Sequence, residues 1–336
     1  MFLFCPLFLF GCATAPKDKF VESFQHVGNV KLYSRPIKLK KGAVQLAYMF
    51  EMVERDSLLI VNEFPDPYHC MKIIDLRKGT VRNFGKKGKG PSEIQSGSCN
   101  FSIENNNLYV SDRINYLKYS IDSLKKSIDA PVSKFYFRPK ETSFLNTTYC
   151  NGFVVGGTIS NRIGLYNTQT KQVICKYDYE VGPMVEQAFY YNHPSKNIVA
   201  YFQSKSATMG ILEIKNNDVT TKEYSWWKSG QKELLGDNGR ISALPARDER
   251  NGFITAAVTE KFVYALYSGK VMDRRTLESL SDAFLSKYVY VFDWQGRLVK
   301  RYQLDQEVRS IAVNANDEAL YAASYEGEPH LVVYKL

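Results

Sequence analysis

Residues 71–93 read MKIIDLRKGTVRNFGKKGKGPSE. A short apolar strand, Met71 to Leu76, runs into the turn Arg77-Lys78-Gly79. A second strand follows, Thr80 to Phe84, and then a Gly/Lys-rich crossing through Gly85, Gly88, Gly90 and Pro91. Two strands joined by a tight turn, then a longer glycine-rich exit, is how one small antiparallel sheet hands the chain to the next. Upstream, Val44 to Val53 and Ser57 to Asn62 read as two more strands, separated from Met71 by the Pro-rich loop Glu63-Phe64-Pro65-Asp66-Pro67-Tyr68. The region therefore reads as one unit of four strands.

The plan recurs. A second unit contains Phe101–Ile103, Leu108–Ser111 and Tyr116–Ile121, and a third starts at Phe135–Leu145. A fourth is centred on Asn197–Phe202 and Met209–Ile214. A fifth takes Ile241–Leu244, Phe262–Tyr267, Tyr288–Phe292 and Leu298–Leu304, and the last has Val308–Val313, Ala319–Ser324 and His330–Leu336. Aligning third strands at Ile74, Tyr119, Tyr166, Leu212, Val291 and Val333 gives steps of 45, 47, 46, 79 and 42 residues. A period of about 40–50 residues with four short strands per unit predicts an all-β chain, a six-bladed β-propeller. The last unit has three strands of its own, and the segment Val30–Leu39 is spare. Placing it as the outer strand of the last blade closes the ring and removes unpaired sheet edges. A β-sandwich accounts for neither the period nor the spare strand. The long step predicts an insertion, with a short helix within 272–286 that carries Leu277, Leu280, Phe284 and Leu285 on one face.

The N-terminus predicts an address. Phe2 to Phe10 is an apolar run of signal-peptide length, too short to span a bilayer as a helix. It ends in Leu9-Phe10-Gly11-Cys12, which resembles a bacterial lipobox, and a polar stretch follows. The expected organisation is a signal peptide over 1–11, a tether over 12–29 with lipid on Cys12, and the propeller over 30–336. Such a chain sits in the bacterial envelope, at the outer membrane, with the membrane as its first partner. Cys70, Cys99, Cys150 and Cys175 then lie in an oxidising compartment, and their pairing stays open among three connectivities and free thiols. Their spacing contains no CxxC, which argues against a zinc site.

The glycine-rich stretch also carries a resemblance. Phe84-Gly85-Lys86-Lys87-Gly88-Lys89-Gly90-Pro91-Ser92-Glu93, preceded by Ile73-Ile74-Asp75-Leu76, resembles the signature of TolB-like six-bladed propeller lipoproteins of the Bacteroides type. The order of lipobox, short tether and repeats is similar too. The resemblance implies fold and membrane anchorage, and it carries no catalytic residues.

Composition narrows the chemistry. With 44% hydrophobic residues, 23 Tyr and 20 Phe in 336 residues, the chain has ample material for half-buried pleated surfaces. Four His limit multi-histidine metal chemistry. The net charge of +9 comes from lysines scattered over turns and strand ends, where charge keeps β edges soluble, so it is not read as a nucleic-acid surface. The Gly/Lys crossing lacks the GxxxxGK[ST] order and follows a hairpin, so its glycines are read as loop geometry. No GxSxG, HExxH or dinucleotide fingerprint occurs. Trp226-Trp227 is read as packing at a blade edge in preference to a sugar platform.

Candidate ligand contacts around the funnel are Glu63 and Asp66, Asp112 and Arg113, and Tyr325 and Glu326, each set just after the second strand of its unit. The expected function is a non-catalytic binding or scaffold module for an envelope protein or glycan, without cofactor or metal. The alternative is a calcium-dependent hydrolase or lactonase with its site in the funnel. That chemistry needs several oxygen ligands meeting at the axis, and the matching positions of units three to five carry no acid.

Overall fold

The computed structural model describes residues 18–40, 46–64, 66–95, 99–112, 114–137, 139–235, 241–244, 249–272 and 281–336. The chain enters through α1 (Lys19–Ser23), whose N-cap Asp18 accepts a hydrogen bond from the Phe20 N–H at 2.9 Å. Two short strands follow, β1 (Asn29–Leu32) and β2 (Arg35–Pro36).

Four antiparallel meanders come next. The first sheet is β3 (Tyr48–Arg55), β4 (Leu58–Phe64), β5 (His69–Asp75) and β6 (Thr80–Lys86). The second is β7 (Asn100–Glu104), β8 (Asn107–Ser111), β9 (Asn115–Ser120) and β10 (Ser133–Tyr136), with α2 (Ile121–Lys125) before its last strand. The third is β11 (Phe144–Cys150), β12 (Phe153–Thr158), β13 (Asn161–Asn167) and β14 (Val173–Asp178). The fourth is β15 (Ala188–Asn192), β16 (Ile198–Gln203), β17 (Ala207–Lys215) and β18 (Asp218–Trp227). A hairpin of β19 (Lys232–Leu235) and β20 (Ile241–Leu244) stands apart. The rest is one sheet: β21 (Phe253–Val258), β22 (Phe262–Tyr267), β23 (Ser286–Asp293), β24 (Leu298–Val313), β25 (Ala319–Ser324) and β26 (His330–Lys335), with β2 on β26 and β1 on β24.

Local sequence explains the meanders. Asp56-Ser57, Asn105-Asn106, Asn151-Gly152 and Asn216-Asn217 are two-residue hairpin loops with both residues at positive φ. That twist matches the strands it joins, and Asn, Asp and Gly tolerate it best. In the crossing after β6, Gly85 has φ +70°, and a Cβ there would collide with the Met71 Cε. Glu93 folds back over this loop, accepting from the Gly90 N–H at 2.8 Å and pairing with Lys86 at 2.8 Å. A Cβ on Gly88 would strike that carboxylate. The glycines serve backbone geometry, as the sequence predicts.

The core is divided among the junctions between sheets. Leu58, Ile60 and Phe84 of the first sheet pack against Phe101, Leu117 and Tyr119 of the second. Tyr109 and Phe137 meet Val154 and Tyr166, and Val155 and Leu165 meet Val199 and Leu212. Phe202 and Met209 meet Phe253 and Tyr267, while Met52 and Val61 meet Ala312 and Ala323. The first strand of each meander also touches that of its neighbour: β3 with β7, β7 with β11, β11 with β15. Contacts β15–β21, β21–β24 and β24–β3 continue the series. This is the packing of an all-β propeller.

Several expectations change. Residues 18–29 do not run as a tether: Phe20 is fully buried, with rings of Trp226, Tyr290 and Tyr267 at 4.9, 4.6 and 4.1 Å. An aromatic at that position gains more from this pocket than from water, so the chain docks. The expected strand over Val30–Leu39 divides. Asn29–Leu32 runs parallel to Arg301–Leu304, while Arg35 and Pro36 pair with β26 and the Ile37 N–H donates to the Leu331 carbonyl at 3.0 Å. The expected strand Phe135–Leu145 also divides, since β10 completes one sheet and β11 opens the next. Ile241–Leu244 pairs with Lys232–Leu235, and Phe253–Val258 takes the place expected for it beside β22. Both are apolar runs of strand length, so only long-range pairing separates them. The helix expected within 272–286 lies mainly on 273–280, outside the described residues, and Ser286 already belongs to β23.

Candidate functional site

Where the first strands converge there is a cavity of about 720 Å³. Each of those strands contributes to its wall: Phe50 and Glu51, Asn100, Asn146 and Thr147, Phe189 and Tyr191, Phe253 and Thr255, and Arg309. A shared backbone device aims several of them. Pairing slips at Phe50 between β3 and β4, at Leu145-Asn146 between β11 and β12, at Ile254 between β21 and β22, and at Arg309 between β24 and β25. A bulge turns side chains away from strict alternation and tightens local twist. Phe50, Asn146, Ile254 and Arg309 all line the cavity.

Glu51, Arg309 and Lys205 are the charged residue types in its wall, and the Lys205 Nζ donates to the Met184 carbonyl at 3.0 Å. Glu51 faces both this cavity and a smaller one lined by Met52, Ser102, Asn192 and Ala312. Burial raises its carboxyl to about 8, against a smaller opposing pull from the Phe101 N–H. The side chain is therefore protonated at neutral pH, able to donate as well as accept. Arg309 is held below the ordinary arginine value by burial, which the Tyr48 and Tyr325 side chains partly offset. Its guanidinium carbon lies 4.8 Å from the Tyr48 ring centre, 5.1 Å from Phe50 and 5.2 Å from Phe284. Aromatic faces stabilise a cation that has left water.

Amides and hydroxyls fill the wall between these groups. The Asn62 Nδ2 donates to the Cys99 carbonyl at 2.9 Å, and the Asn146 Nδ2 donates to the Ala188 carbonyl at 2.9 Å. These bonds orient the amides and leave their oxygens as acceptors. Cys99 also borders the cavity, and its thiol is hydrogen-bonded to that of Cys70. The bond between thiols lowers Cys70 and raises Cys99. Cys70, Cys99, Cys150 and Cys175 are all present as thiols, with no disulfide among them.

Among the described residues, none of those expected from sequence lines this cavity. Glu63 is buried against Lys72 and accepts from the Ala47 N–H. Asp112 is buried and accepts from the N–H groups of Asn115 at 2.8 Å and Gln95 at 3.1 Å. Asp66 caps its own turn, accepting from Tyr68 and His69 at 2.8 and 2.9 Å. Glu326 accepts from the Glu307 N–H and lies 3.6 Å from Lys287. These carboxylates are engaged within the framework. Tyr325 comes nearest without lining the cavity: its ring lies 4.9 Å from Tyr48, and its hydroxyl bonds to the Met49 backbone beside Arg309's aromatic group. Arg113 and Cys12 lie outside the described residues. Trp226 packs on Phe20 and Phe24, and the Trp227 Nε1 donates to the Tyr267 hydroxyl at 2.9 Å, so both are structural.

The cavity residues escaped the sequence expectations because they sit on first strands, whereas those expectations fell on loops after second strands. A partial signal was present: Glu51 is a charge flanked by Met49, Phe50, Met52 and Val53, whereas Arg309 follows the polar run Asp305-Gln306-Glu307 and does not stand out.

The sequence matches the family described as TolB-like 6-blade propeller-like over residues 33–316. No curated relative matches it. Among solved structures, it is similar to a member of the DUF4221 family from Bacteroides vulgatus, with TM-score 0.54 and 9% identity over 92% of this chain and 96% of that one. It is also similar to a putative exported protein from Bacteroides fragilis, with TM-score 0.52 and 12% identity over 90% and 94% of the two chains. At these identities the likeness concerns the fold.

Proposed function

Because the chain belongs to the TolB-like 6-blade propeller-like family, we propose that it is a non-catalytic binding module of the bacterial envelope, with its ligand site in the central cavity. The observation that carries this reading is the set of bulged inner-strand residues that converge on one space. A strand bulge costs ladder hydrogen bonds, and such irregularities concentrate beside functional sites.

The six-bladed count rests on β24. Its first half pairs with β23 and its second half with β25, so it serves as the outer strand of a fifth blade and the inner strand of a sixth. β2 then supplies the outer strand of the sixth blade, and the ring closes through the N-terminal segment. Rigid closure suits a scaffold, since the six inner strands hold the cavity wall without an exposed inner edge.

Anchorage at the outer membrane is part of this proposal, supported by the apolar run before Cys12 and the lipobox resemblance. A labelled palmitate analogue is expected on the wild-type chain and absent from Cys12→Ala. The partner is an envelope protein or a glycan, and it leaves the cavity unchanged. A glycan array and a pull-down from envelope extract test this, using wild type and Asn100→Trp, which puts a bulky ring into the cavity wall. Retention by wild type, loss in the variant and an intact recovered ligand are expected. Equal retention by both proteins, or a cleaved ligand, refutes the reading.

A further inference from the structure

We propose that Arg309 anchors the carboxylate of an acidic sugar that enters the central cavity. The inference rests on the binding-module reading above and names the ligand's chemistry.

The first ground is charge. Arg82, Arg162 and Arg297 each face a carboxylate, that of Asp129, Glu223 and Asp293 respectively, at 2.6 to 2.7 Å. Arg309 faces none among the described residues. It has three aromatic rings, and Tyr48 as a polar neighbour. A guanidinium drawn out of water needs an anion or strong acceptors to offset its lost hydration. Tyr48 takes one hydrogen bond from the fork, and an edge of a planar guanidinium matches a carboxylate through two parallel hydrogen bonds. The bulge at Arg309 is what sends this side chain towards the cavity.

The second ground is the remainder of the wall. An ionised acid in the same wall would repel an anionic ligand. Glu51 is neutral near pH 7 and offers a donor instead. Asn100, Asn146 and Gln187 present amides, and Thr147 a hydroxyl. Amide groups next to aromatic faces suit a pyranose ring, whose edge carries hydroxyls and whose C–H face is apolar. The volume of about 720 Å³ lies within the usual range of small-ligand sites, about 300–1,000 Å³.

The test is calorimetric titration of the full chain at pH 7 with digalacturonic acid and with its neutral methyl ester. The acid is expected to bind at least tenfold more tightly than the ester. Arg309→Gln should abolish that preference with the melting temperature retained, and Arg309→Lys should keep part of it. The wild-type comparison stands even where a variant fails to fold. Equal binding of acid and ester overturns the proposal, as does an unchanged preference in Arg309→Gln or the absence of binding by both probes. A short peptide with a free C-terminus that binds where the uronate does not assigns the cavity to peptide and overturns the sugar. A galactose phosphate that binds more tightly than the uronate overturns the carboxylate. In each case, capture blocked by Asn100→Trp leaves the binding-module reading standing, so the two failures are distinguishable.

Discussion

Replacing Glu51 with glutamine is expected to stabilise the protein in a pH-dependent way. Burial raises the Glu51 carboxyl from 4.5 to about 8. At about 1.4 kcal/mol for each tenfold change in proton affinity, the full effect is about 5 kcal/mol, and screening by cavity water lowers the range to about 2–5 kcal/mol. The sign follows from linkage. Below pH 4.5 the carboxyl is protonated in folded and unfolded chains alike, so Glu51 contributes no pH-dependent penalty. Between 4.5 and about 8 the unfolded chain has released the proton while the folded chain holds it, so stability declines as pH rises. Above about 8 both states are ionised and the penalty is complete. The glutamine side chain of Glu51→Gln cannot ionise, yet its amide still accepts from the Phe101 N–H and donates into the cavity. Thermal unfolding of both proteins from pH 5 to 9 therefore separates this residue from the other titrating groups, which the two share. With an unfolding entropy of about 0.7 kcal/mol/K for a chain this long, the variant should melt about 3–7 °C above wild type at pH 9 and close to it at pH 5. A gap that stays flat across this range refutes the argument. A gap of opposite sign would mean that a cation pairs with ionised Glu51.

Three further outcomes follow from the geometry. Phe20→Ala removes a fully buried ring from the cluster of Trp226, Phe253 and Tyr267 and should cost about 3–5 kcal/mol in urea unfolding; a loss below about 1 kcal/mol would mean that the N-terminal segment does not dock. Glu63→Gln removes the carboxylate charge facing buried Lys72 and should cost about 3–5 kcal/mol, much of it recovered in the Glu63→Leu, Lys72→Met double variant, and a double-mutant cycle with no coupling contradicts this. Glutathione disulfide should convert the Cys70 and Cys99 thiols to a disulfide by exchange, releasing two reduced glutathiones; a peptide bridging the two cysteines checks this by mass spectrometry, and its absence after complete exchange at Cys70 counts against the contact.

The repeat architecture was legible because it is written locally. Each meander is spelled by apolar runs of strand length and by turns whose Asn, Asp and Gly residues accept positive φ, and neither needs knowledge of distant chain. The glycine crossing after β6 is local as well, since Gly85 and Gly88 are dictated by Met71 and Glu93 nearby. Sequence periodicity therefore sufficed for the propeller.

Pairing partners and the functional wall were decided by tertiary structure. Ile241–Leu244 and Phe253–Val258 have the same local signature, and only contact with β22 separates a propeller strand from a detached hairpin. Phe20 looked like part of a polar tether until Trp226, Tyr267 and Tyr290, distant in sequence, formed its pocket. Glu63 and Asp112 looked available until Lys72 and backbone N–H groups engaged them. The site itself depends on bulges, which arise when two strands of unequal local count are paired. A single strand cannot reveal that mismatch. The chain by itself determined that there would be repeated four-stranded sheets, whereas the meeting of their first strands decided that Glu51 and Arg309 would face one cavity.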